Sequence, residues 1–182
     1  MEDKREIIET RNIKSKNGVD LVLTHYIDKS KYSYSEAIMS LENKKLNFYD
    51  SIEKKDGKWR RFCYDTDIKT TDDIVKYGKE LYVFKNIRIN CDSNYSIEPY
   101  NVETQKEMEE LMKSIQTLLD VGKIVGYNDE HGVGKFYMKD KKIIAEHWRY
   151  QVCDKEETTI KEIESFIRRF FEIGFSLHDD WK

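Results

Sequence analysis

Apolar residues recur at Met108, Leu111, Met112, Ile115, Leu118 and Leu119, the three-and-four spacing that draws one stripe down a helix of roughly 3.6 residues per turn. Thr104 with Glu107 three residues on is a capping-box signature, and Gly122 stands where a helix ends by turning left-handed. The pattern predicts a helix within residues 101–128 that leads directly into a strand starting at Lys123. A stripe this narrow must lie against a sheet or other helices, and the strand-like segments on both sides supply a sheet.

Ahead of that helix, residues 7–15 and 19–27 read as two strands joined at Asn17 and Gly18, the strongest short-range hairpin signal. Val19, Leu21, Leu23 and Ile27 share one face, and His25 falls on the same face, where a hydrogen-bonded core or rim histidine is the expectation. Ser33 and Glu36 resemble a second capping box, predicting a short helix through Ala37, Ile38 and Leu41. Residues 46–52 and 58–64 form another expected hairpin. Thr70 or Thr71 opens a two-turn helix through Ile74 and Val75 that closes at Gly78, and residues 80–91 read as the longest strand. Residues 92–99 read as a loop.

Beyond the striped helix, residues 123–128, 135–139 and 142–152 read as an antiparallel meander. Thr159 and Glu162 cap a last helix with Ile160, Ile163, Phe166, Ile167 and Phe170 inward and Gly174 as its stop. The predicted order is ββαββαβαβββα, an α+β fold whose helices pack on one face of a bent, largely antiparallel sheet. At 182 residues the expectation is a single domain over 1–182, with a two-lobe division near 92–99 as the alternative.

Composition narrows the class. Aromatic residues at 13% are too many for a disordered chain, and no apolar run approaches the roughly 20 residues that span a bilayer. The absence of a hydrophobic leader pattern predicts a cytoplasmic protein. Cys63, Cys91 and Cys153 are odd in number and far apart, as reduced, buried thiols are. The front half is net positive and the back half net negative, a modest asymmetry that solvated surface mostly explains and that suggests the front half for a nucleic-acid contact.

Catalytic patterns are weak. The loop of residues 128–134 lacks the Lys and Ser/Thr of a phosphate-binding loop and reads as a meander turn. His25, His131, His147 and His178 with the cysteines give no zinc spacing, so neither a metal site nor a cofactor is expected. Cys153 and His147, six apart on one predicted strand, stand about 20 Å from each other and make a poor nucleophile–base pair. Asp65, Asp67, Asp72 and Asp73 are the densest carboxylates for magnesium-dependent nuclease chemistry, but caps and turns account for them.

Two surfaces stand out. Lys54, Lys55, Lys58, Arg60 and Arg61 with Trp59 form a basic, aromatic hairpin suited to phosphates and a stacked base. Glu103, Glu107 and Glu110 line the outer face of the striped helix and could oppose a basic partner. In size, acidity and richness in Lys, Ile, Asn, Glu and Tyr, the chain resembles the small inhibitor and immunity proteins of bacterial mobile elements, and among these phage-type anti-CRISPR proteins directed against Cas9. That resemblance implies a stoichiometric inhibitor, not an enzyme, which binds a bacterial nuclease complex (Cas9 with its guide RNA) in the bacterial cytoplasm and blocks DNA binding or cleavage. An immunity protein that neutralises a toxin, or a metal-dependent nuclease that cuts guide RNA, are the alternatives.

Overall fold

The computed structural model describes residues 5–28, 35–41, 44–52, 59–61, 71–90, 94–129, 132–149 and 152–174. Strands and helices fall into the α+β class, arranged as two sheets in two compact units. One unit comprises Met1–Val83 with Cys91–Ser93, the other Phe84–Asn90 with Asn94–Lys182.

In the first unit, β1 (Arg5–Lys14), β2 (Asp20–Asp28), β3 (Ser35–Leu41), β4 (Lys44–Ile52) and β5 (Trp59–Arg61) form a five-stranded antiparallel meander in chain order. The turn between β1 and β2 carries Gly18 at φ +83, as the Asn-Gly pattern predicts. The helix expected from the Ser33 and Glu36 signal is, over the described residues 35–41, instead β3, paired with β2 from Val22↔Ser40 to Ile27↔Ser35 and with β4 on its other side. Ladder hydrogen bonds on both edges outweigh a capping signal that only one short turn would have followed. Of the expected 46–52/58–64 hairpin, β4 pairs with β5 from Asp50↔Arg61 to Ile52↔Trp59, while residues 53–58 and 62–64 lie outside the described residues.

Helix α1 (Thr71–Glu80) begins as expected but runs on through Gly78, which is buried. Of the long strand expected over residues 80–91 only Ile87–Ile89 pairs as a strand, and Cys91 lies outside the described residues. Leu81 and Val83 are buried, yet their backbone partner is the first hairpin's turn. The Lys16 N–H donates to the Leu81 carbonyl (2.8 Å), the Val83 N–H donates to Asn17 Oδ1 (2.9 Å), and the Asn17 amide donates to the Val83 carbonyl (2.7 Å). The Asn17 side chain thus pairs the segment as a strand would, so alternation persists without a ladder.

The second unit holds a six-stranded sheet in the order β11-β10-β9-β8-β7-β6. Its strands are β6 (Ile87–Ile89), β7 (Tyr95–Ile97), β8 (Val125–Asp129), β9 (Gly132–Lys139), β10 (Lys142–Arg149) and β11 (Val152–Thr158). Two were not anticipated: β7 lies within the expected 92–99 loop, and β11 follows what was read as a single strand ending at Val152. β7 pairs in parallel with β8, a pairing that requires a crossover, and α2 (Gln105–Asp120) supplies it.

All six residues of the α2 stripe are buried, and the capping box of Thr104 and Glu107 is formed. At the far end the Gly122 N–H donates to Leu119 O and the Lys123 N–H to Leu118 O, both at 2.9 Å, with Gly122 at φ +77. Helix α3 (Ile160–Phe170) is capped by Thr159 and Glu162 as predicted. Its left-handed residue is Glu172 (φ 52), two positions before the expected Gly174.

Cross-strand register places Val125, Tyr127, Phe136 and Ala145 on one face, and all four are buried. α2 and α3 cover this face, with Phe166 and Phe170 of α3 in ring contact with Tyr127 at 4.8 Å. No helix of this unit lies on the other face among the described residues. None of the described helices is long and apolar enough to cross a membrane.

Candidate functional site

β10 presents different chemistry on the two faces of the six-stranded sheet, because successive strand residues point to opposite sides. His147 points toward α3; Glu146 and Trp148 point to the open face.

On the helix-covered side, the Tyr127 hydroxyl and His147 Nδ1 form a short hydrogen bond, while His147 Nε2 lies 3.5 Å from Glu156 Oε1. The Phe166 ring is tilted against the imidazole, with centroids 5.1 Å apart. Clefts of about 240 and 230 Å³ flank the histidine. This Tyr–His–Glu chain could relay a proton, but no thiol among the described residues is positioned beside it. Cys153 does not share a strand with His147 as the sequence predicts: it is on β11 opposite Trp148 and points to the other side of the sheet. It is only partly buried, contrary to the expectation of a core thiol, and partial burial followed by the Glu146 charge pushes its pKa up, away from the reactive thiolate.

On the open face, Glu146 is 4% exposed. Trp148 Nε1 donates to Glu146 Oε1 (3.2 Å), and the Tyr137 hydroxyl donates to Oε2 (3.3 Å). Lys135 Nζ lies 3.7 Å from one carboxylate oxygen and Lys155 Nζ 3.4 Å from the other. Register explains the convergence, since Glu146 pairs with Lys135 on β9 and with Lys155 on β11. Burial pushes the Glu146 carboxyl up, but the two ammonium groups and the indole N–H more than offset this, and the net direction is down. Around the hub, Trp148 is 47% and Val133 49% exposed.

The surfaces singled out from sequence fare differently. Lys54, Lys55 and Lys58 lie outside the described residues. Trp59, Arg60 and Arg61 form β5, whose backbone alone is described. Glu103 and Glu110 are exposed, but Glu107 is engaged within the chain: it accepts from the Glu103 and Thr104 N–H groups and from Lys85 Nζ at 3.1 Å. Lys106 and Lys113 also lie exposed on α2, so its outer face is mixed in charge. Asp65 and Asp67 lie outside the described residues; Asp72 accepts from Arg11, and Asp73 stands in the first turn of α1. Among the described residues no group of three or more metal-ligating side chains converges. His25 is half-buried, and burial lowers its pKa against the opposing Glu9 charge.

Those contacts hold the Glu107 carboxyl at about 2, led by the Glu103 backbone N–H and then Lys85. Its folded pKa lies below the unfolded value, so its contribution to stability is full above about pH 4.5 and is lost as pH falls toward about 2. Acid unfolding of Glu107→Gln followed by circular dichroism should therefore show a shallower loss of stability across that window than wild type. Superimposable curves would mean that the capping box does not survive in solution.

Sequence reading missed the Glu146 hub because its members are scattered over three strands. The available signal was residues 142–149, where both alternating sets contain apolar residues, so neither face is purely solvent. Compared with family models, with curated proteins and with solved structures, the chain matches none.

Proposed function

We propose that this chain is a stoichiometric inhibitor of a bacterial nuclease complex, most narrowly Cas9 with its guide RNA, and that it binds through the open face of the six-stranded sheet. The observation that carries this reading is the exposed Trp148 held by a buried carboxylate between two lysines. An aromatic fixed in place loses little conformational entropy on binding, and Trp is the residue most enriched where interface energy concentrates. The resemblance in composition to mobile-element inhibitors supports the choice of partner.

The test is a titration of the chain into a fixed amount of assembled Cas9–guide complex, followed by target-DNA cleavage. Loss of cleavage should be linear to a break at one chain per complex, with guide RNA intact on a denaturing gel, and Trp148→Ala should weaken it. Guide RNA cut by substoichiometric chain, or cleavage unaffected at excess, would refute the reading.

A further inference from the structure

We propose that the open face of the six-stranded sheet binds single-stranded nucleic acid, the lysines meeting phosphates and Trp148 and Tyr137 stacking on bases. This rests on the reading above, in which the same face engages a nuclease complex, and it names the component of that complex in contact.

Charge selects the occupant. Alternation and register place Arg88, Lys135, Lys139, Lys142 and Lys155 on this face, against Glu98, Glu146 and Glu157. Glu98 pairs with Arg88 at 3.3 Å and Glu157 with Lys142 at 2.7 Å. Glu146 then stands alone between Lys135 and Lys155, and one carboxylate cannot neutralise two ammonium groups. The two lysines retain side-chain exposures of 41% and 60%. A basic surface results on a chain whose net charge is −3, and a polyanion is the partner that it complements.

Shape selects a single strand. The bond from Trp148 Nε1 to the carboxylate two residues back on the same strand draws the indole along β10, and the residue remains half-exposed. Tyr137 is anchored to the same carboxylate from β9, with Lys135 Nζ 5.7 Å from its ring centroid. Val133, the cross-strand partner of Trp148, is four residues from Tyr137. The two backbone positions are thus about 13 Å apart along the strand direction, with both rings leaning toward the carboxylate between them, so that each can take one of two neighbouring bases. Aromatic platforms flanked by lysines on an open sheet need splayed, unpaired bases, which a duplex does not offer.

The experiment is a titration of the full chain into fluorescein-labelled oligothymidine and oligouridine followed by anisotropy, at several salt concentrations, with labelled duplex DNA and polyglutamate as comparisons. The single strands should bind more tightly than the duplex. Trp148→Ala should weaken binding by about 5- to 150-fold. Lys135→Ala, which leaves Glu146 paired with Lys155, should flatten the slope of log affinity against log salt by about 0.7. Circular dichroism of both variants verifies the fold, and Trp148→Phe should retain most of the affinity. Absence of single-strand binding while one-to-one association with the nuclease complex persists would overturn this inference and leave the inhibitor reading intact. Equal binding of duplex or polyglutamate, or affinity unchanged in Trp148→Ala, would overturn it as well.

Discussion

Leu111→Ala lowers the free energy of unfolding by about 2–5 kcal/mol. Leu111 is 1% exposed, and its neighbours along the α2 stripe, Met108 and Ile115, are fully buried. The helix is the crossover between the parallel strands β7 and β8, so its apolar face is held over the sheet from both ends and cannot slide to fill a void. Truncation therefore removes the transfer free energy of the lost methyl groups and leaves most of the cavity open. Chemical denaturation measures the change, with the exposed Glu110→Ala on the same helix within about 0.5 kcal/mol of wild type. A cost for Leu111→Ala no larger than that of Glu110→Ala would show that α2 does not pack on this sheet.

Gly134→Ala should cost about 1–3 kcal/mol. Gly134 on β9 pairs with Tyr127 on β8 and His147 on β10. A Cβ there would meet the Tyr127 hydroxyl and ring and the Glu146 carbonyl oxygen, and that last contact is with backbone in the middle of the ladder. The missing side chain is what allows the tyrosine to cross its neighbouring strand and reach His147. Gly126→Ala is the matched control, because its added Cβ finds no atom nearer than 3.4 Å. Equal thermal shifts for the two alanines would contradict the crossing geometry.

What could be read from the sequence follows how local each signal is. Both formed capping boxes, the α2 stripe and the first hairpin are set by residues within a few positions of one another, and each is present. The β3 sequence predicts a helix because its pattern is short and the strands that pair with it carry no signal within it. β11 escaped because Asp154, Lys155, Glu156 and Glu157 obscure any alternation; charges are what an exposed sheet edge carries to discourage pairing with other chains. The Glu146 hub was invisible for the same reason as β3: Lys135, Glu146 and Lys155 meet only through register. The acidic row on α2 was legible as sequence, but the internal engagement of Glu107 by Lys85 depends on the segment ahead of β6.

Hydroxyl-radical footprinting of the chain, free and bound to the Cas9–guide complex, tests the proposed binding face most directly. Trp148, half-exposed in the free chain, should lose reactivity in the complex together with Tyr137 and Val133, while the outward side chains of α2 remain as reactive as before. Protection of the Glu103–Glu110 side of α2 with Trp148 still freely oxidised would contradict the assignment of the open sheet face as the binding surface.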